Sequence, residues 1–175
     1  MAKTPSIEIR LLTAGDIDAW WTLRLEALEQ EPRAFSSSVE EHRALSMDEV
    51  EKRLASDPEN QFVVGAFVGG VLSGTTGFYR DKGPKSQHKG HVWGVYVKRE
   101  LRRQGAAKMM MLLLLDCARK IEGLEQIHLA VAVTQCEATA LYRSFGFEPY
   151  GREPRAIKVG NEYIDEDFLV LRLKR

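Results

Sequence analysis

The chain has 175 residues, of which 25 are lysine or arginine and 25 are aspartate or glutamate, so its formal net charge is zero. The length and an apolar content of 44% predict one globular domain over residues 1–175. Zero net charge argues against a protein that coats nucleic acid or an anionic membrane, and two cysteines exclude a disulfide framework. The N-terminus lacks the apolar region of a signal peptide, and the longest apolar run (109–115) is too short to span a bilayer, so we expect a cytoplasmic protein.

The hydrophobic pattern divides the chain into alternating strand and helix segments. In chain order it predicts a strand (7–12), a helix (13–31), a second helix (46–55), two strands (61–68 and 71–79), a strand (91–97), a long helix (105–122), a strand (126–133), a helix (134–146) and two final strands (148–155 and 162–173). Capping boxes at Ser46–Glu49 and Thr134–Glu137 mark two of the helix starts. Gly69-Gly70 is typical of a two-residue hairpin turn.

This order of elements determines the expected fold class. A strand–helix–strand crossover joins parallel neighbours, whereas the hairpins join antiparallel ones. We therefore predict an α/β (α+β) fold with a mixed central sheet of about seven strands, flanked by about four helices.

The segment 98–108, between a predicted strand and the long helix, is the most informative part of the sequence. It holds five basic residues and one acid within a neutral chain. Free backbone N–H groups and the helix dipole favour anions at such a position, and Gly105 allows close approach of phosphate oxygens. Neither G-x-x-x-x-G-K-[ST] nor G-x-G-x-x-G is present. The segment therefore predicts a pyrophosphate site, and the alternative is a helix that begins with arginines on a solvated surface.

A second motif, Ala138-x-x-Leu141-Tyr142-x-x-x-Gly146-Phe147, follows on the next strand–helix unit. Together with Arg102-x-x-Gly105-x-Ala107, it resembles the GNAT superfamily of acyl-CoA-dependent N-acetyltransferases, most closely between Val92 and Phe147. The resemblance implies a GNAT-like fold and acetyl-CoA as co-substrate. It also implies direct attack of a primary amine on the thioester.

The resemblance further implies roles for individual residues. The backbone of Val95, Tyr96 and Val97 would line the pantetheine arm. Tyr142 would lie beside the sulfur, where it could protonate the departing thiolate. Gln135 stands where many members have an asparagine that contacts the cofactor arm, and it is one methylene longer. The residues expected to wrap the pyrophosphate are Arg102, Arg103, Gln104, Gly105, Ala106, Ala107 and Lys108.

The remaining chemistry requires an oxyanion donor and a base. A strand N–H near Tyr96–Val97, freed by a bulge, is a candidate oxyanion donor. The period of two places His91 on the face of Val95 and Val97, so His91 is a candidate proton relay through water; the alternative is a packed or surface histidine. For Tyr142 taken alone, the alternative is a core-facing tyrosine. His88-x-x-His91 lacks further ligands nearby, and we expect no metal.

The acceptor is the least determined part of the prediction. Residues 26–57 contain nine acids and four bases, which could attract a cationic amine or form an ordinary solvated surface. Phe35, Glu40 and Glu41 are the candidate acceptor contacts. A polyamine, an amino-sugar or amino-acid amine and a protein N-terminus remain open, and a homodimer is compatible with the prediction. We expect neither nucleic acid nor membrane as a partner. The alternative function is a non-catalytic acyl-CoA-binding sensor or scaffold.

Overall fold

The computed structural model describes residues 6–55 and 57–173. Within them, seven strands form one sheet in the order β1-β2-β3-β4-β5-β7-β6. The strands are β1 (Ile7–Leu11), β2 (Gln61–Val68), β3 (Val71–Arg80), β4 (Lys89–Val97), β5 (Gln126–Ala132), β6 (Glu148–Val159) and β7 (Glu162–Arg172). The helices are α1 (Ile17–Gln30), α2 (Val39–Arg43), α3 (Met47–Leu54), α4 (Ala106–Arg119) and α5 (Cys136–Ser144). The predicted mixed sheet is confirmed, since only β4 and β5 pair in parallel.

The helices lie on both faces of the sheet and bury two main hydrophobic clusters. On one face α4 contributes Met110, Met111, Leu114 and Leu115, all fully buried. On the other face α1 and α3 pack over β2, β3 and β4, and their cluster includes Trp20 and Leu23 of α1 and Val50 and Leu54 of α3. The apolar run in α4 is therefore mainly a core segment, although Leu112 within it is 44% exposed. No helix in the described part of the chain is long and apolar enough to cross a membrane.

Three helices differ from the sequence prediction at their starts. The helix predicted over 13–31 begins with a 3-10 turn at Ala14–Asp16, and α1 itself starts at Ile17. The short helix α2 was not predicted, because five residues are too few to carry a helical apolar period. It is stabilised by a capping box in which Ser38 Oγ accepts from the Glu41 N–H at 3.1 Å and a Glu41 carboxylate oxygen accepts from the Ser38 N–H at 2.7 Å. The predicted N-cap of α5, Thr134, is wrong. The Gln135 N–H donates to the Ala132 carbonyl in a turn, so the helix starts one residue later with Gln135 as its N-cap.

Strand β4 carries a β-bulge. Gly77 of β3 pairs with Trp93, but Thr75 pairs with Tyr96, so β4 contains one extra residue at Gly94–Val95. Gly94 has a φ of +63°, a left-handed conformation that glycine adopts without strain. A bulge on this strand was expected near Tyr96–Val97, and it lies two residues earlier.

The parallel pairing between β4 and β5 is short. It involves only residues 89–91 and 126–128, and beyond these residues β4 and β5 are no longer paired with each other. Backbone groups that a continuous sheet would pair are therefore left at the facing edges of β4 and β5. This separation in the middle of the sheet positions the candidate site.

At the start of α1, Asp16 links strand β1 to the helix. Arg10 Nη1 and Nη2 donate to its two carboxylate oxygens at 2.8 Å each, and the Thr13 N–H donates at 2.8 Å. The Arg10 guanidinium, with the Thr13 donors, holds the pKa of Asp16 well below its usual range. A carboxyl group whose pKa is lowered by folding stabilises the fold above its unfolded pKa, and this stabilisation is lost as the pH falls.

We therefore expect Asp16→Asn to lower the free energy of unfolding by about 1–3 kcal/mol at pH 7. The difference between the two proteins should shrink as the pH falls below about 4, because the carboxyl group is then protonated in the unfolded chain. Urea unfolding at several pH values measures this, with the exposed Asp18→Asn as control. Equal losses in the two variants would contradict the role of the Arg10–Asp16 pair.

Candidate functional site

A cavity of about 340 Å³ lies where β4 ends and where α4 and α5 begin. Four segments contribute to its wall. They are the α1–α2 connection (Glu31, Ala34, Phe35), the end of β4 (Val95, Tyr96, Val97), the α4 start (Leu101, Arg102, Arg103, Gly105, Ala106, Ala107, Lys108) and the α5 start (Gln135, Glu137, Ala138, Leu141, Tyr142). The structure thus brings together most of the residues that the two sequence motifs predicted.

One end of this cavity has backbone features that favour an anion. Gly105 is the N-cap of α4 with a φ of +83°, no side chain caps the helix, and its first turn contains no acid. The N–H groups of the first turn therefore have no intrahelical acceptor and stand at the positive end of the helix dipole. Arg103 also has a positive φ, of 62°, and the chain between Arg103 and Gly105 curves around the helix start. A Cβ at Gly105 would meet no atom within 4 Å, so the space beside it is open.

The basic side chains of this segment are less available than the sequence suggested. Arg102 donates through Nε to the Val97 carbonyl at 3.0 Å and through Nη2 to the Glu31 carboxylate at 2.9 Å. Arg103 pairs with Glu137 at 2.9 Å on the exposed surface. Lys108 is exposed, lines the cavity and has no ion pair among the described residues. It and the backbone N–H groups are thus the anion donors that no carboxylate engages.

Gln104 takes a different position from its predicted neighbours. Its side-chain amide donates to the Glu100 carbonyl at 2.8 Å, and it is not among the residues that line the cavity. The Gln104 side chain therefore does not face the cavity, and a role in phosphate binding through its backbone remains a prediction.

A second, smaller cavity of about 90 Å³ occupies the gap between β4 and β5. Trp93, Gly94 and Val95 form one side of it, and residues 129–131 form the other. It shares six wall residues with the larger cavity, namely Ala34, Phe35, Val95, Gln135, Ala138 and Tyr142. The two cavities together form a cleft that runs from the N-terminus of α4 to the bulge of β4.

Tyr142 lies where the two cavities meet. It is 6% exposed, and its ring packs edge-on against Phe147 at 6.1 Å between centroids. Burial raises the pKa of its hydroxyl, which therefore remains protonated at neutral pH. The residue is part of the core, as the alternative interpretation held, and it also borders the cleft. A neutral phenol at this point can donate a hydrogen bond to a bound group.

His91 lies outside the two cavities, at the end of β4 that still pairs with β5. Its Nε2 is 3.0 Å from the Asp81 carboxylate, and its ring stacks on Tyr79 at 4.7 Å. The period of two that linked His91 to Val95 is interrupted by the bulge. Its role as a proton relay remains a prediction.

Of the candidate acceptor contacts, only Phe35 lines the cleft. Glu41 caps α2, and Glu40 lies on the exposed side of the same helix. Other acids of the segment 26–57 interact within the chain. Glu26 accepts from the Tyr96 hydroxyl at 3.0 Å and pairs with Lys98 at 3.4 Å. Burial and the Glu26 carboxylate raise the pKa of Tyr96 to about 12.

These pairings change the interpretation of the acidic segment. Glu29 pairs with Arg43 at 3.0 Å, and Glu31 pairs with Arg102. Glu26, Glu29 and Glu31 are therefore paired with cations within the chain. An amine-attracting role for the segment 26–57 remains a prediction. Among the described residues, no group of three or more histidine, cysteine, aspartate or glutamate side chains is arranged to hold a metal ion.

Sequence reasoning missed Arg24, which lies in α1 near the bulge of β4. It is 7% exposed, and a Cβ at Gly94 would lie 3.6 Å from its Nη1. The signal was available, because Arg24 follows Trp20 by four residues and precedes Ala27 by three, so a charge interrupts the apolar stripe of the helix.

Comparison with known proteins agrees with this geometry. The model of the acetyltransferase (GNAT) family matches residues 20–147. A GNAT-family acetyltransferase from Streptococcus pneumoniae superposes with a TM-score of 0.83 at 20% identity, covering 97% of this chain and all of that one. The yncA protein of Salmonella typhimurium, solved with acetyl-CoA, gives 0.79 at 19% identity over 97% and 95% of the two chains.

A ribosomal-protein-alanine N-acetyltransferase from Brucella melitensis gives a TM-score of 0.75 at 20% identity, covering 95% of this chain and 99% of that one. At these identities the solved structures establish the fold of the chain. No curated protein matches the sequence.

Proposed function

The chain belongs to the GNAT family of acetyltransferases, and we propose that it transfers the acetyl group of acetyl-CoA to a primary amine. The observation that carries the proposal is the continuous cleft from the uncapped N-terminus of α4, past Tyr142, to the bulge of β4. Along this cleft follow, in order, the proposed anion site at the start of α4, the Tyr142 phenol and the narrow gap between β4 and β5.

The residues of the cleft fit a nucleotide that carries a long acyl arm. The first-turn N–H groups of α4 and the backbone between Arg103 and Gly105 suit a pyrophosphate. The largely apolar walls, with Leu141 and Ala138, suit the arm. The unpaired edge of β4 at Val95 and Tyr96 offers it backbone donors and acceptors, as a neighbouring strand would. When bound, acetyl-CoA supplies an acetyl group activated as a thioester.

The chemistry then depends on two donors of this chain. In this proposal a backbone N–H of the β4 bulge at Gly94–Val95 stabilises the negative charge that develops on the carbonyl oxygen; the interrupted register of β4 supports this role. The Tyr142 hydroxyl donates to the leaving sulfur, which its position between the two cavities supports. A phenol of ordinary pKa would already need roughly 2 kcal/mol to protonate a thiolate, and burial raises that requirement. Tyr142 therefore acts mainly by a hydrogen bond to the sulfur.

The amine must lose a proton before or during its attack. We retain His91 as the proposed relay, acting through water, with its Nε2 oriented by the Asp81 carboxylate at 3.0 Å. The distance of His91 from the cleft requires at least one intervening water molecule in this proposal.

The test is thiol release from acetyl-CoA across a panel of small amines, amino acids and peptides with free N-termini. We expect release with at least one class of amine, at a rate well above that of hydrolysis without acceptor. A protein that binds CoA in a calorimeter but releases no thiol with any amine would instead be the non-catalytic acyl-CoA-binding module.

A further inference from the structure

Arg24 is a buried cation for which the rest of the described chain provides no counter-ion. Its side chain is 7% exposed, and Nη1 makes no hydrogen bond within the described residues. The apolar residues Trp20, Leu23 and Ala27 of the same helix face are packed into the core beside it. An unpaired guanidinium in such a place is strongly unfavourable unless something else supplies a partner.

The groups around Arg24 do not provide that partner. The ring of Phe35 lies 4.6 Å from its Cζ, which gives a cation–π contact but no acceptor for Nη1. The charged group that interacts electrostatically with Arg24 is the guanidinium of Arg53, and because it is also positive it repels Arg24. Burial, followed by Arg53, lowers the pKa of Arg24 to about 10, so it is still a cation at neutral pH. His42 also faces this cation, and burial is the main cause that lowers the pKa of its imidazole, with Arg24 adding to it.

The unsatisfied nitrogen lies beside the reactive end of the cleft. A Cβ at Gly94 would lie 3.6 Å from Nη1, so glycine leaves no side chain between this nitrogen and the bulge. Gly94 and Phe35 both line the smaller cavity, and Tyr142 lines the same cavity. The guanidinium therefore stands behind a wall formed by one glycine and one aromatic ring, at the end of the cleft away from the α4 anion site.

We propose that Arg24 binds a carboxylate of the acceptor, so that the substrate is a small amine that also carries a carboxylate, as an amino acid does. The inference rests on the proposed acetyl transfer and names its acceptor class. A planar carboxylate matches the fork of a guanidinium and supplies the missing acceptor. In this proposal the Phe35 ring turns aside to admit it. The acids nearest the cleft, Glu26 and Glu31, are paired with Lys98 and Arg102, whereas Arg24 has no counter-ion among the described residues.

The experiment compares matched acceptors that differ only in the carboxylate. Each amino acid of a panel is assayed beside its carboxamide and its decarboxylated amine, and β-alanine and γ-aminobutyrate vary the spacing. For wild type we expect kcat/KM to be at least tenfold higher for the carboxylated member. In Arg24→Met we expect kcat/KM for the carboxylated amine to fall by about 10- to 30-fold and kcat/KM for its amide to change little. The preference for the carboxylate should therefore disappear. Arg24→Lys should retain part of the preference.

A readout that does not need turnover keeps this inference separate from the proposed function. N-acetylated amino acids and their carboxamides are titrated into the CoA complex in a calorimeter. Weaker binding of only the acids to Arg24→Met would support the carboxylate site, even if no amine were acetylated. Turnover of amines without any preference for a carboxylate, or equal binding of acids and amides, would overturn it while leaving acetyl transfer intact.

Stability provides a further check on the folding of the variants. If Arg24 is kept for binding, its replacement by the apolar Met should raise the thermal midpoint by roughly 2–6 °C. The exposed Arg43→Met, which also removes one positive charge, is the matched control for activity and charge. A large fall in the midpoint of Arg24→Met would assign the residue to the core and contradict the proposal.

Discussion

Gly105→Glu is expected to weaken CoA binding by about 100-fold or more while the fold is retained. The new carboxylate would stand at the uncapped start of α4. There it would accept hydrogen bonds from the N–H groups that are proposed to bind phosphate, and its charge would repel the phosphate. Losing two charge-assisted hydrogen bonds is sufficient for a change of this size. The space beside Gly105 is open, so the larger side chain fits without displacing its neighbours. Calorimetric titration with CoA measures the effect.

The chain offers a closely matched control in Gly160, in the hairpin turn between β6 and β7. Its φ of +59° is also left-handed, and a Cβ there likewise meets nothing within 4 Å. Gly160→Glu should cause a comparable loss of stability from backbone strain and leave CoA affinity unchanged. Gly105→Ala separates strain from charge and should weaken CoA binding much less than Gly105→Glu. Unchanged affinity in Gly105→Glu would remove the phosphate assignment.

Tyr142→Phe is expected to lower kcat by about 100-fold, with less than a threefold change in the dissociation constant of CoA. The phenyl ring preserves the packing against Phe147, so the substitution removes only the hydroxyl that would donate to the leaving sulfur. Steady-state rates of thiol release, together with calorimetry, distinguish the two effects. Tyr150→Phe, at a tyrosine 55% exposed and outside the cleft, is the control and should retain full activity.

The pH profile adds an independent criterion for Tyr142. Burial raises the pKa of its hydroxyl, so the donor stays protonated at every pH at which the folded protein can be assayed. We therefore expect no alkaline decline in kcat from this residue below about pH 10. If the Tyr142→Phe variant had the same kcat as wild type, Tyr142 would be only a packing residue.

The geometry explains why one cleft can serve two chemically different ligands. The N-terminus of α4 and the bulge of β4 lie at opposite ends of the cleft. In the proposed function, backbone N–H groups at the first end bind phosphate. In the further proposal, the buried side chain of Arg24, behind the second end, binds a carboxylate. Tyr142 lies between the two ends, where a bond to sulfur would have to break.

Sequence alone was sufficient for the mixed sheet and for most element boundaries, and it predicted most of the residues that the structure gathers in the cavity at the start of α4. These features depend on short-range signals, such as the alternation in β4 and the glycine at the start of α4, that the fold does not alter. It failed at α2, which at five residues is too short to show a repeating apolar pattern, and at the N-cap of α5, where a turn through Gln135 replaced the expected cap. Only the second error arises from a backbone turn that competes with a local pattern.

The sequence by itself determined which residues could bind an anion, because a glycine before an apolar helix has that property in any fold. Only the tertiary structure decided which charges are available. Glu31 and Arg102, 71 positions apart in the chain, neutralise each other across the cavity. Within residues 6–55 and 57–173 Arg24 has no such partner, although the sequence around it is rich in acids. Charge pairing depends on distances in space that composition does not encode. The acidic segment therefore suggested a cationic acceptor, and the unpaired Arg24 led to the proposal of an acceptor that carries a carboxylate.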